Sequence, residues 1–285
     1  LVFAGVIFAI FYAAAFSFRL ADQSFRMVEN SALVLTNSFV FYGFGYAILD
    51  GNENTAGILG LYTAANAAFH LAVAVLIGRV RPAAIDAVQV LTILVLTFAS
   101  LAIPVQLDGN QVTMAWSIEA ALLFWFGRAR NVRLFEAYSY PVMALATVSM
   151  FFDWGTTFVD GIFGGGQIGH RPFANGNFVT ALVYIAAFAV IFAISKDKAS
   201  QFRIGEDWSR RFRYAVAAIA IFVLYNAFRL EIANYFHAQL MELGSDAGTS
   251  AASIIRSKSS AWQMNYTMVF LSAMALVNRI KVRSR

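Results

Sequence analysis

Long, uninterrupted apolar stretches dominate this sequence and restrict the folds that it can adopt. A helix needs about 20 mostly apolar residues to cross a hydrocarbon core of about 30 Å. Nine stretches reach or approach this length: 1–18, 31–49, 55–78, 84–105, 111–127, 135–152, 177–195, 214–230 and 261–277. They are continuously apolar instead of alternating with a period of two residues, which indicates helices and not barrel strands. We therefore predict an all-α, polytopic transmembrane bundle of about nine spans.

The composition excludes most soluble classes of protein. Hydrophobic residues make up 60% of the chain and charged residues 13%, against about a quarter charged in a typical soluble domain. An ordinary soluble enzyme, a disordered chain and a nucleic-acid-binding domain are therefore not expected. The chain has no cysteine, which removes disulfides and thiolate metal sites. No motif predicts a cofactor.

The basic residues predict the orientation in the membrane. The connections after the first, third, fifth and seventh spans and the C-terminal tail carry 17 of the 21 Lys and Arg residues. Because basic residues gather on the cytoplasmic side, the tail is predicted to be cytoplasmic. The multi-pass protein is then expected in the bacterial inner (cytoplasmic) membrane, in contact with membrane lipids.

The start of the sequence leads to a prediction about the extent of the protein. Leu1 lies inside an apolar run, and no signal peptide with a basic start is visible. With nine spans and a cytoplasmic tail, the chain would begin on the outer side. We interpret residues 1–285 as a single transmembrane domain that forms the C-terminal part of a longer membrane protein.

A long segment on the predicted outer side, 153–176, contains several candidate site residues. Long loops without regular structure are often functional. Its glycines match the Gly-x-Gly-x-x-Gly sequence pattern of dinucleotide-binding loops, but the sequence predicts neither the strand before it nor the helix directly after it that this site requires. Polar and aromatic groups here suit a sugar or a lipid headgroup, and flexible anchoring at the interface is the alternative. The candidates are Asp153, Trp154, Asp160, His170 and Arg171.

The residues after the eighth span predict a helix that leaves the membrane or lies on its outer surface, because polar and charged residues are mixed with apolar ones there. Arg229 and His237 are candidate contacts for an anionic headgroup, and an interfacial anchor is the alternative. His170 and His237 fall on the same side, but no closely spaced ligand motif supports a metal site.

Two polar features lie within the predicted spans. Glu119 lies about 12 Å from the outer end of the fifth span, where a carboxyl group is costly and is a candidate for function. A hydrogen bond that holds helices together is the alternative. In the third span, Tyr62, Asn66 and His70 are spaced by four residues and share one helix face. They are interpreted as interhelical hydrogen-bonding groups, with a proton relay as the alternative.

The stretch 100–128 resembles a bacterial family of predicted multi-spanning membrane proteins of unknown function, DUF2339. The resemblance rests on a polar turn followed by a Trp-x-x-Glu-Ala-Ala-Leu helix that ends in Gly-Arg, here Trp116, Glu119 and the pair Gly127–Arg128. The segment 171–177 is similar to a second family element, although Asn175–Gly176 stands where Asn-Pro is more usual. The family implies a longer chain in a bacterial inner membrane and no known reaction, and it favours importance for Trp116 and Glu119.

Three functions remain open at this stage, and whether the protein is an enzyme is one of the open points. The first is an outer-facing protein that handles an envelope lipid or a lipid-linked glycan, with Asp153, Asp160, His170 and Arg229 as contacts. The second is a transporter or channel component that uses Glu119 in a membrane pathway. The third is a non-catalytic scaffold that assembles with other membrane proteins.

Overall fold

A computed structural model describes residues 2–21, 27–52, 55, 57–82, 84–159, 171–196, 206–243 and 249–283. These residues form no strand and are almost entirely helical, which confirms the predicted all-α class. The α-helices are α1 (Val2–Ala21), α2 (Met27–Asp50), α3 (Leu59–Val80), α4 (Ile85–Gln106), α5 (Asn110–Ala129), α6 (Arg133–Trp154), α7 (Gly176–Ile194), α8 (Glu206–Glu242) and α9 (Thr249–Arg283).

Five segments of this part of the chain have the length and apolar composition to cross a membrane. They lie in α2, α3, α4, α7 and α8. The apolar part of α1, Val2–Ala14, is shorter. The protein is therefore a helical membrane protein with several candidate spans, while the count of nine spans and the cytoplasmic tail stay predictions.

The chain divides into two compact units, Leu1–Asp108 and Gly109–Arg285. In the first unit, α3 and α4 form the most extensively packed pair, and α2 packs against α1, α3 and α4. Its core is built from apolar side chains of all four helices, among them Phe8, Val34, Ala67, Leu91 and Phe98. The single membrane domain stays a prediction.

The second unit is built on the antiparallel hairpin of α5 and α6. Helix α7 packs against α5, α8 packs against α7, and α9 packs against α8. The hairpin closes tightly at Gly127, where a Cβ atom would lie 2.5 Å from the backbone nitrogen of Glu136. Glycine is therefore required for this close approach of the two backbones, at the Gly-Arg pair on which the family resemblance rests.

Two segments that follow predicted spans are helical. Helix α8 is one continuous helix of 37 residues, about 55 Å long, which confirms that a helix continues beyond the eighth predicted span. The prediction that a loop begins at Asp153 is wrong. Asp153 and Trp154 end α6, and a π-helical turn follows over Gly155–Val159.

Candidate functional site

A carboxylate at the end of α6 is the centre of the candidate site. Asp153 is 8% exposed, and the Thr113 hydroxyl of α5 donates to its Oδ2 atom at 2.6 Å. The Ser149 hydroxyl lies 2.6 Å from the Thr113 hydroxyl. Because Thr113 donates its only hydroxyl proton to Asp153, the Ser149 hydroxyl must donate to the Thr113 oxygen. A chain of hydroxyls therefore leads from α6 through α5 to the carboxylate.

Two asparagines extend this chain to α7. With the Asn110 amide oriented so that both of its side-chain atoms are satisfied, its nitrogen donates to Asn177 Oδ1 at 2.7 Å and to Asp153 Oδ2 at 3.3 Å. The backbone N–H of Asn177 then donates to the Asn110 side-chain oxygen at 3.3 Å. Gly176 permits this contact, since a Cβ atom there would lie 2.9 Å from the side-chain amide group of Asn110.

A second buried carboxylate joins the start of α7 to α8. Glu231 of α8 is 1% exposed. It accepts hydrogen bonds from the Phe173 backbone N–H and from the Asn175 side-chain amide, both at 2.7 Å. Asn175 is also the N-cap of α7, because its side-chain oxygen accepts from the Phe178 backbone N–H at 2.9 Å. This carboxylate therefore fixes the turn that leads into α7.

The backbone of this turn is strained. Phe173 has a φ of 62°, a left-handed conformation that costs a bulky residue on the order of 1–2 kcal/mol. The conformation turns the Phe173 N–H towards Glu231, and the ring packs against Phe178 with its centroid 5.3 Å away. Glu231 and this ring contact together hold the strained residue in place.

These groups form one polar cluster across four helices at one end of the second unit. We call it the asparagine cluster, and it consists of Asn110, Thr113, Ser149, Asp153, Asn175, Asn177 and Glu231. Asp153 follows the predicted span 135–152, and burial raises the pKa of its carboxyl, with the hydrogen bond from Thr113 acting in the opposite direction. Among the described residues, the hydrogen bonds to the Asp153 side chain end on Oδ2, and the Asp153 backbone carbonyl accepts from the Thr156 hydroxyl at 3.2 Å. The Asp153 Oδ1 atom accepts no hydrogen bond from the described residues.

The opposite end of the same unit carries a buried ion pair. The Arg128 Nε atom donates to Glu136 Oε1 at 2.9 Å, and the Arg128 and Glu136 side chains are 8% and 0% exposed. The Tyr140 hydroxyl donates to the same oxygen at 3.3 Å. Phe212 of α8 packs on the Tyr140 ring with centroids 5.1 Å apart, so this end also holds the basic start of α8.

The candidate residues from the sequence are distributed unevenly around the asparagine cluster. Asp153 lies inside it. Trp154 is the next residue on α6 and is half-buried, with its ring 6.0 Å from that of Phe151. The Arg171 side chain is exposed, and its carbonyl accepts from the Asn175 amide at 3.4 Å. Asp160 and His170 lie outside the described residues.

The other candidates lie on neighbouring turns of helix. Arg229 is half-buried on α8, two residues before Glu231. The Nε2 atom of His237, six residues after Glu231, is enclosed without a hydrogen bond to the described residues. Trp116 and Glu119 are half-buried on α5, and Glu119 lies about 9 Å further along the axis than Thr113. The described residues contain no group of three His, Asp or Glu side chains that could hold a metal ion.

The family described as "Predicted membrane protein (DUF2339)" matches residues 1–283 of the chain. The chain belongs to this family. The resemblance that rested on 100–128 and 171–177 therefore extends over nearly the whole chain, and both segments contribute to the asparagine cluster through Asn110, Thr113, Asn175 and Asn177. No curated protein and no solved structure gives a significant match.

Sequence reasoning missed several members of the cluster. Glu231 lies after the eighth predicted span and Asn110 lies in the polar turn before the fifth, and neither residue is among the candidates from the sequence. Thr113 and Ser149 carry no signal in a single sequence, because their hydrogen-bonding partners lie 36 or 40 residues away along the chain. The signal that was available is the second family element, 171–177, which contains Asn175 and Asn177.

Proposed function

We propose that the asparagine cluster binds the hydroxyl-rich headgroup of an envelope lipid or a lipid-linked glycan at the outer face of a bacterial inner membrane. The observation that carries the proposal is Asp153, a carboxylate held by hydroxyl and amide groups through Oδ2 only, among the described residues. A carboxylate oxygen accepts hydrogen bonds from hydroxyls, and neighbouring amides offer both donors and acceptors.

The surroundings of Asp153 fit such a ligand. A site for a polar headgroup needs a few fixed polar groups beside an aromatic or apolar surface. The hydrogen bonds from Thr113 and Asn110 fix the carboxylate, and Trp154 follows it on the same helix. Trp side chains favour the interface between the membrane and water, which is where a headgroup lies.

The charges of the second unit support the outer orientation of the cluster. The end opposite to it carries six arginines, at the connection of α5 with α6 and at the start of α8: Arg128, Arg130, Arg133, Arg210, Arg211 and Arg213. Basic residues gather on the cytoplasmic side. The asparagine cluster would then face the outer leaflet.

A paired-lipid binding experiment tests the proposal. The protein is placed in nanodiscs that contain equal amounts of a monohexosyl diacylglycerol and of diacylglycerol alone, and the retained lipid is measured by native mass spectrometry. We expect preferential retention of the hexosyl lipid and a loss of about tenfold or more of that preference in Asp153→Asn, because a hydrogen bond to a charged group is removed. Asp207→Asn changes an exposed carboxylate at the opposite end and should leave the preference unchanged.

The preference should also depend on pH. Burial raises the pKa of the Asp153 carboxyl, and only the ionised form is a full acceptor at both oxygens. Binding should therefore be present above that pKa and weaken as the pH falls through it, starting at a higher pH than for an exposed carboxyl group. Asp153→Asn should show no such dependence. Equal retention of the two lipids at every pH would contradict the proposal and favour the scaffold.

A further inference from the structure

His70 lies at the centre of the first unit, in surroundings that fix one of its protons. Its side chain is fully buried on α3. The ring Nδ1 atom lies 2.7 Å from the backbone carbonyl oxygen of Asn66. A carbonyl oxygen can only accept a hydrogen bond, so Nδ1 must carry a proton.

The other ring nitrogen shares a single hydroxyl proton with a carbonyl group. The Ser38 Oγ atom of α2 lies 2.9 Å from His70 Nε2 and 2.7 Å from the Val34 carbonyl oxygen. If the hydroxyl donates to Val34, the short contact with Nε2 requires a proton on that nitrogen, and the ring is an imidazolium. If the hydroxyl donates to Nε2, the ring is neutral and Val34 loses this donor. The two arrangements have the same heavy atoms and differ by one proton.

Aromatic rings surround the imidazole on its remaining sides. Phe98 of α4 stacks on it with the centroids 5.4 Å apart. Phe69 of α3, Tyr12 of α1 and Phe8 of α1 lie at 5.5, 5.7 and 6.4 Å. Aromatic rings attract a cation more strongly when water is excluded, which offsets part of the cost of burying a charge. Of these neighbours, Tyr12 is the titratable one, and the described contacts of His70 include no carboxylate and no basic side chain.

We propose that His70 is a reversible proton-binding site, in which the Ser38 hydroxyl turns from His70 Nε2 to the Val34 carbonyl when the proton arrives. The proton adds to Nε2, and the new N–H donates to Ser38 Oγ. The proposal concerns the first unit alone and is independent of headgroup binding at Asp153. It gives the contact between α2 and α3 two states that are set by pH.

Solid-state NMR of the ring nitrogens tests the site directly. The sequence has three histidines, so a protein with His170→Gln and His237→Gln, labelled at histidine and placed in lipid nanodiscs, reports His70 alone. We expect two protonated nitrogens at the low end of a titration from about pH 4 to about pH 9 and a proton on Nδ1 alone at its high end, with one transition between the two states.

Variants of the serine separate the proton switch from general packing. A hydrogen bond from the charged ring is stronger than one to the neutral ring, so Ser38→Ala should move the transition by about one unit to lower pH. Ser38→Thr should restore it. Ser117→Ala is the matched control, because Ser117 is also buried and donates to the carbonyl four residues earlier at 2.7 Å, but in the second unit. A ring that does not change its protonation in this range, a bare Nδ1 at high pH, or equal spectra for Ser38→Ala and Ser117→Ala would overturn the proposal.

Discussion

The two units bury polar groups of different chemical kinds. Among the described residues, the buried polar side chains of the first unit are hydroxyl, amide and imidazole groups: Ser38, Thr63, Asn66, His70 and Ser100. The second unit also buries the carboxyl groups of Glu136, Asp153 and Glu231. A neutral group without its partner costs about 1–3 kcal/mol, whereas a buried charge without its partner costs more. The second unit should therefore depend more strongly on individual side chains.

Each of the three carboxyl groups is stabilised in a different way. Glu136 has the Arg128 guanidinium, Asp153 has hydroxyl and amide donors, and Glu231 has a backbone N–H and an amide. The ion pair balances its own charge and is suited to holding α5 against α6. Among the described residues, Asp153 has neutral hydrogen-bonding partners on Oδ2 alone, which is why we propose it as the carboxylate that binds a ligand.

The largest loss of stability is expected from Arg128→Ala, in the second unit. The substitution leaves the buried Glu136 carboxylate without its cation, and breaking a buried pair in this way costs about 3–5 kcal/mol. The free energy of unfolding in mixed lipid–detergent micelles, followed by tryptophan fluorescence, measures the cost. The matched control is Arg210→Ala, since the side chains of the Arg210–Asp207 pair are 61% and 75% exposed and such pairs contribute about 0–1 kcal/mol. Equal losses in the two variants would contradict the assigned role of the buried pair.

A smaller loss of unfolding free energy is expected from Glu231→Ala, which leaves the Phe173 N–H and the Asn175 amide without their acceptor. One part-buried and one buried donor that lose their partner should together destabilise the protein by about 2–4 kcal/mol. Hydrogen–deuterium exchange should show the change locally, because the amide of Phe173 would exchange faster. Glu231→Gln keeps one carbonyl oxygen and should retain part of the protection, and Glu242→Ala, at the exposed end of α8, should leave it unchanged. Unchanged exchange at Phe173 in Glu231→Ala would exclude this carboxylate as the fixing group of the turn.

The smallest effect is expected in the first unit, from Thr63→Val. Thr63 is fully buried, and its hydroxyl lies 3.0 Å from the Tyr42 hydroxyl and 2.8 Å from the Leu59 carbonyl. Removing this neutral group at nearly constant volume should cost about 1 kcal/mol. Thr92→Val, which removes only a hydrogen bond to the carbonyl four residues earlier, should cost less. A loss in Thr63→Val as large as that in Arg128→Ala would remove the difference between the two units.

The helices of both units could be predicted from the sequence because hydropathy is a local property. Continuous apolar runs predict a helix wherever they occur, and each of the nine predicted spans corresponds to one α-helix. The interhelical hydrogen bonds predicted for the third span are confirmed for Tyr62, which donates to the Phe41 carbonyl, and for His70, which contacts Ser38. The Asn66 amide donates to the Tyr62 carbonyl of its own helix. The spacing of four residues was sufficient, because it places these groups on one face.

The partners of the buried carboxylates could not be predicted in the same way. Asp153 and Thr113 are 40 residues apart in sequence, and Asn175 and Glu231 are 56 apart. Glu136 lies in the first turn of α6, where an acidic residue is common because it interacts favourably with the helix dipole. Because this local explanation is sufficient by itself, the sequence does not indicate that Glu136 pairs with Arg128 across the hairpin. Pairings of this kind are decided by how helices pack, and no local pattern in one chain encodes them.

The claim that Asp153 is the ligand-binding carboxylate is tested most directly by a cryo-EM map of the whole protein in nanodiscs of native lipid. The account predicts density for a headgroup within hydrogen-bonding distance, about 2.5–3.0 Å, of Asp153 Oδ1, and its loss in Asp153→Asn with the fold unchanged. A map in which side chains of the protein close over Oδ1, with the same lipid density in the wild type and in Asp153→Asn, would contradict it.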